Sequence, residues 1–395
     1  MENKKHLNIK KIVALVAIML FIIVLILVVP KVKRHLRYKN LSVIYNNELQ
    51  EISTAVIVSE RGTIYFDLQD IIRLFDENMY YNEVEKQLIS TYDTHVLSFG
   101  LNSLEVLVND EKREINAPAY IDDTSGIVFI PLSELKGVYN IDIEYNTKTN
   151  RVIIDSLSNE KTTAKVEKKA KLKERKGLFA KTIEKVLVGD VVTVLESSGG
   201  SKKVRLQDGE IGFIKAKALG EETKEREATV YQKPELKVFD NYANITGVYG
   251  AVETESGKLN VVNPVFFEID KDSNLLDKSQ INTAAYAVYS SWAENNGLKI
   301  MPSCANLDSV SNNLLNYSQR VNVINRLTKL TKEYGFVGIN IDFDQVDDVN
   351  SFYRFLIELQ PRFKEEGLYV SVTVKNNKNI QRNKIQNIVD YVVEE

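Results

Sequence analysis

Histidine is nearly absent from this chain. Among 395 residues only His6, His35 and His95 occur, so nothing beyond residue 95 can supply an imidazole. That excludes a Ser-His-Asp or Cys-His mechanism in the long C-terminal part and argues against a His-ligated zinc there. A peptidase or amidase of those types is excluded with it. Cysteine is scarcer still: Cys304 stands alone, which rules out an intrachain disulfide framework. Trp292 is the one tryptophan. Charge of either sign is not in excess, and a net charge of -3 argues against a nucleic-acid partner. Chemistry in the C-terminal region must therefore rest on carboxylates, amides, tyrosines or lysines, and neither a cofactor nor a metal is expected.

What is present begins with an apolar run. Composition is otherwise ordinary for globular protein, with 44% hydrophobic and 27% charged residues, and the length suggests about two to four domains. Residues 12–29, Ile12 to Val29, contain no polar side chain and reach the about 17–25 residues a membrane helix needs. Pro30 leads straight into Lys31, Lys33 and Arg34, with no small-residue cleavage site, so a retained anchor is expected rather than a cleaved signal peptide. Basic residues flank both ends (Lys4, Lys5, Lys10 and Lys11 before; Arg37 and Lys39 also after), so charge by itself does not orient it.

Residues 41–156 contain an internal repeat. Gly62-Thr63-Ile64-Tyr65-Phe66-Asp67-Leu68 matches Gly126-Ile127-Val128-Phe129-Ile130-Pro131-Leu132, and the register continues from Tyr81-Asn82 to Tyr145-Asn146 and from Leu88-Ile89 to Val152-Ile153. Each copy reads as a short strand, a short helix and a hairpin. Residues 157–178 are dense in Lys and Glu, as in Glu167-Lys168-Lys169-Ala170-Lys171, and read as a solvated linker. Residues 179–220 alternate like the strands of a small barrel. A turn at Gly189-Asp190 precedes an apolar strand, and an Asp208-Gly209 turn closes a hairpin.

From Lys237 onward β-like runs alternate with helix-like runs, the pattern of a parallel α/β architecture. The strand candidates are residues 245–251, 261–269, 298–303, 336–343, 368–374 and 388–393. The helical stretches 280–295, 316–334 and 349–366 are followed by Gly297, Gly335 and Gly367, as left-handed C-terminal caps require. Trp292 falls on the first of these helices, where packing is the expectation.

Within this pattern the stretch Val337-Gly338-Ile339-Asn340-Ile341-Asp342-Phe343-Asp344 stands out. Side chains alternate along a strand, so Asn340, Asp342 and Asp344 share one face of a hydrophobic segment. Unpaired charge is costly in such a place, and three polar residues in line there point to chemistry rather than packing.

These motifs resemble glycoside hydrolase family 18, in the branch found in bacterial spore and cell-envelope proteins. The landmarks are Val262-Asn263-Pro264-Val265-Phe266-Phe267, Lys299-Ile300-Met301-Pro302 with Asn306, the Gly338–Asp344 stretch, Leu368–Val374 and Val389–Val393. The repeat resembles the stalk-type domain named after copper amine oxidases, a name that implies no metal here. Residues 179–220 resemble the bacterial SH3-like fold, without the tryptophan that often precedes its hairpin.

The resemblance implies a TIM-type (β/α) barrel over 237–395, incomplete because an eight-stranded barrel takes about 250 residues and the Tyr-Asp pair after the sixth strand is missing. A truncated or fragmentary gene product is the expectation. The family motif, Asp-Gly-x-Asp-x-Asp-x-Glu, implies Asp342 as the residue that orients the substrate N-acetyl group and Asp344, in place of Glu, as the acid. Asn340 and Val337 stand where the family carries its other Asp residues. Gly338, Asn306 and Phe267 are the implied substrate-side residues. The whole would be a multidomain α/β and α+β protein with tail 1–11 in the cytoplasm, anchor 12–29 and the rest outside the cell. It would hydrolyse N-acetylglucosamine-containing glycans, peptidoglycan or chitin-like polymers, by substrate-assisted chemistry, weakly or not at all. The alternative is a non-catalytic wall-binding or scaffold protein.

Overall fold

The structure, a computed structural model, describes residues 41–395 apart from 54–55, 178, 230, 246, 248, 271–273, 279–282, 307–313, 315, 345, 375–379 and 395. The tail 1–11 and the apolar run 12–29 lie outside the described residues. Among those described, no helix is long and apolar enough to cross a membrane. The fold is mixed α/β with strands predominating. It forms two compact units interleaved in sequence: residues up to Asp70 with Asp122–Thr229, and Ile71–Ile121 with Val230–Glu395. The boundary between units thus runs through the repeat at 41–156.

In the first unit the equivalent strands of the two repeat copies, Ile64–Asp67 and Val128–Pro131, pair antiparallel with Phe66 opposite Ile130. A helix (Leu68–Leu74) and a 3-10 turn (Leu132–Leu135) follow them. The second copy ends in the hairpin Ile141–Asn146 with Arg151–Ser156, on which Ser42–Tyr45 adds in parallel. The strand, short helix and hairpin order holds in both copies, the first copy's hairpin being Tyr80–Asn82 with Gln87–Tyr92.

The same unit contains a seven-stranded antiparallel sheet running from Lys161–Val166 to Leu219–Arg226. Its extent corrects the linker expected at 157–178, because Lys161–Val166 and Ala170–Lys173 are strands of that sheet. The reason is a period of two hidden under the charge. Ala164, Val166 and Leu172 turn into a small core with Val186, Val192, Val204 and Ile214, while lysines occupy the other face. The Asp208-Gly209 turn is as expected: Gly209 has φ +85 and donates its N–H to the Leu206 carbonyl at 3.0 Å.

In the second unit, residues 230–395 build a parallel wall of strands. Glu235–Val238, Lys258–Val262 and Lys299–Ile300 pair in one sheet. Val265–Ile269, Ser303–Asn306, Gly338–Asp342, Tyr369–Val374 and Tyr391–Glu394 run side by side in the next, with Leu275–Asp277 antiparallel at its edge. The runs 261–269 and 298–303 are each interrupted at a proline, Pro264 and Pro302, which cannot donate to a ladder. The first strand lies at Glu235–Val238, not at 245–251. Near there the Tyr249 hydroxyl donates to the Asn244 carbonyl and accepts from the Gly247 N–H. The helices Thr283–Asn295, Tyr317–Glu333 and Val349–Glu365 end as the glycines imply, with φ near +70 at Gly297, Gly335 and Gly367. Trp292 packs between Tyr242, Tyr249 and Tyr289 and donates its indole N–H to the Gly250 carbonyl.

A five-stranded sheet from Tyr80 to Glu114 belongs to this unit and lies on its helices. Ile89 and Val96 pack on Tyr317. Beside them Arg320 and Glu358, both almost fully buried, form a two-point ion pair at 2.7 and 2.9 Å. The Tyr80 hydroxyl accepts from Arg320 at 2.7 Å and donates to Glu358 at 3.3 Å. Arg362 pairs with Asp110, and the Arg354 guanidinium lies 4.1 Å from the Tyr80 ring centroid.

Candidate functional site

Strand register arranges the polar residues in rows. Ser303 stands opposite Asn340, and Asn340 opposite Ser371, across three adjacent parallel strands. Asn340 is buried and its amide is fully used. The Nδ2 group donates to Ser303 Oγ and Thr373 Oγ1, both at 2.9 Å, and Oδ1 accepts from Ser371 Oγ at 2.8 Å. Asn340 thus laces three strands together beneath the site. Satisfied in this way, a buried amide costs little.

One row nearer the C-terminal ends of the strands, Asp342 lies opposite Ala305, and Ala305 opposite Glu268. The small side chain of Ala305 thus stands between two half-buried carboxylates. Their Cα atoms are two strand spacings apart, roughly 9–10 Å. Lys278 pairs with Glu268 from the neighbouring edge strand's side. Burial, reinforced by the charges of Glu268 and Asp342, pushes the Cys304 thiol up and keeps it protonated and inert.

Beyond the strand, Asp344 sits in the loop that follows, with its side chain exposed. The Asn306 side chain accepts its backbone N–H at 2.8 Å, so the end of one strand holds the loop leaving the next. Asp342, Asp344 and Asn306 are therefore brought together at the C-terminal edge of the sheet, where ligands of open α/β sheets bind. Among the described residues no group of His, Cys, Asp and Glu is placed to hold a metal ion.

Two residues expected at the substrate side are elsewhere. Phe267 is fully buried and packs on Phe336, so it offers no face to a sugar. Gly338 is buried between strands: a Cβ there would lie 2.1 Å from the Tyr369 carbonyl oxygen. Its role is close approach of two backbones. Glu268 was missed by the sequence reading, though an acid between Phe267 and Ile269 in an apolar strand was the available signal.

The family model described as the copper amine oxidase N-terminal domain matches residues 44–154. The match spans nearly the whole of the repeat at 41–156. No curated protein matches the chain. Among solved structures, a class V chitinase from Pseudomonas fluorescens Pf-5 is similar at 17% identity, over 34% of this chain and 46% of that one, with a TM-score of 0.31. The Group IV chitinase of Ostrinia furnacalis is similar at 19% identity over 41% and 51%, with a TM-score of 0.31. The spore cortex-lytic enzyme SleL of Bacillus megaterium QM B1551 is similar at 23% identity over 35% of each chain, with a TM-score of 0.29. The chain spans about half the length, or less, of these structures. At this level the likeness says nothing about chemistry.

Proposed function

We propose that residues 237–395 form a (β/α)-barrel wall of the family 18 glycosidase type that engages N-acetylglucosamine-containing glycans of the cell envelope. The observation that carries this reading is the placement of Asp342 on the polar face at a strand end, two residues before Asp344, which Asn306 holds by its backbone. In substrate-assisted hydrolysis the substrate's own acetamido oxygen attacks the anomeric carbon, and a carboxylic acid delivers its proton to the departing glycosidic oxygen. Asp342 would orient the acetamido group and Asp344 would be the acid. A side chain one methylene shorter than Glu withdraws the acid by roughly 1.5 Å, and misplacement of about 1 Å can cost around 100-fold. Turnover is therefore slow or absent. The exposure of Asp344 favours the second reading, a wall-binding protein without hydrolysis.

The stalk-type repeat and an SH3-like module at 179–220 would serve as wall-facing spacers, and the run 12–29 as a membrane anchor with the remainder outside the cell. Release of reducing ends from purified peptidoglycan tests the site in the wild type, Asp344→Glu and Asp342→Ala. Slow release in the wild type, faster in Asp344→Glu and lost in Asp342→Ala, is the expected pattern. Silence in the wild type with gain in Asp344→Glu would leave the binding reading. Silence in all three, without retention on the glycan, would sink both.

A further inference from the structure

The seven-stranded sheet of the first unit carries a cationic groove. A cavity of about 1110 Å³ opens between the strand Ala170–Lys173, the strand Thr182–Val186 and the end of Ile211–Lys215. Lys168, Lys169, Lys171, Lys185, Lys215 and Lys217 are among its lining residues, with Arg175 at its loop, and no carboxylate is among the described ones. In a chain of net charge -3 this is strong segregation.

Register sharpens the point. Lys171 stands directly opposite Lys185 in the antiparallel pair. Like charges so placed repel and destabilise a sheet. Lys169, Lys171 and Lys173 alternate with inward-facing Ala170 and Leu172, so their side chains recur about every 6.6 Å along one face. Of the nearby acids, Glu184 is drawn away to Lys148 at 2.9 Å, and Glu174 pairs with Arg175 at the loop, not with the strand lysines. Among the described residues no ion pair engages Lys169, Lys171, Lys185 or Lys215. Repulsion of this kind is relieved by a ligand that brings regularly spaced negative charge.

We propose that this groove binds a linear phosphodiester polymer built on a sugar or polyol backbone. Single-stranded nucleic acid is disfavoured because such sites stack bases on aromatic platforms. Phe213 is the one aromatic among the described lining residues, and the Lys176 ammonium already lies 5.5 Å from its ring centroid. The groove lies in the first unit, so it stands or falls independently of the glycan reading of the second.

The test titrates the full chain, held in non-ionic detergent, with soluble poly(glycerol phosphate) and in parallel with polyuridylate, from low to moderate salt. Lys171→Glu/Lys215→Glu is compared with Lys136→Glu/Lys165→Glu, a pair of exposed lysines outside the groove that changes net charge equally. The groove variant is expected to bind poly(glycerol phosphate) about tenfold or more weaker, with a log–log salt slope shallower by about 2, while the control stays near wild type. Absence of binding, equal loss in both variants, or polyuridylate binding as tightly as the polyol polymer would each overturn the proposal.

Discussion

At the scale of single residues, the candidate site rests on groups that lie beneath it. Gly338 is one. Its neighbour Tyr369 comes so close that any Cβ would strike the carbonyl oxygen at 2.1 Å and the carbonyl carbon at 2.8 Å. Both are backbone atoms and cannot swing aside. Gly338→Ala should lower stability by about 1–3 kcal/mol, as overpacking does, and a urea unfolding curve would read it. An unchanged midpoint would mean the two strands separate without cost. Asn340 is the other. Removing its amide leaves Ser303, Ser371 and Thr373 without their shared partner, so Asn340→Ala should cost about 1–3 kcal/mol. A variant as stable as wild type would show that water replaces the amide.

At the scale of elements, helix ends obey local chemistry. The helix Val349–Glu365 begins at Asp348, whose carboxylate accepts from the Asn350 and Ser351 N–H groups at 3.0 and 3.3 Å and from the Ser351 hydroxyl at 2.7 Å. The Ser351 hydroxyl holds this carboxyl below the usual range; partial burial opposes it, and the two backbone N–H groups assist. A folded pKa below the unfolded value of about 3.9 means the stabilisation is complete above that pH and fades as pH falls through the lower folded value. Asp348→Ala should cost about 1 kcal/mol at neutral pH. The gap between wild type and Asp348→Asn should shrink below about pH 4, and a gap that stays constant on acidification would contradict the assignment.

Strands were harder to read than helices. The glycine caps located all three long helices to within a few residues because capping is local. The strand expected at 245–251 was misplaced because Gly247 and Gly250 interrupt a run whose apolar residues, Ile245, Tyr249 and Val252, still pack on the core. Apolar content showed burial there without showing pairing. At 161–173 the error was the reverse, since lysines on the outer face masked a period of two on the inner one.

At the scale of the whole molecule, the second unit recruits part of the repeat. The sheet between Tyr80 and Glu114 covers the buried Arg320–Glu358 pair. Breaking a buried pair by removing one member costs about 3–5 kcal/mol, since the survivor stays charged and buried. Glu358→Ala should therefore lower the unfolding midpoint sharply. A fragment of residues 230–395 expressed without 71–121 should be cut by protease far faster than the same segment within the full chain. Equal resistance would show that the hairpin sheet contributes no stability.

The sequence by itself determined the helix ends, the repeat, the hairpin turns and the polar line at Asn340 and Asp342. All of these follow from short-range rules: side-chain alternation, glycine at positive φ and caps on helix termini. Only the tertiary structure decided that Glu268 stands in the same row as Asp342, that Phe267 is core, that Gly338 serves backbone contact, and that Lys171 faces Lys185. Those facts depend on which strands become neighbours and in what register, and register is set by the packing of residues far apart in the chain.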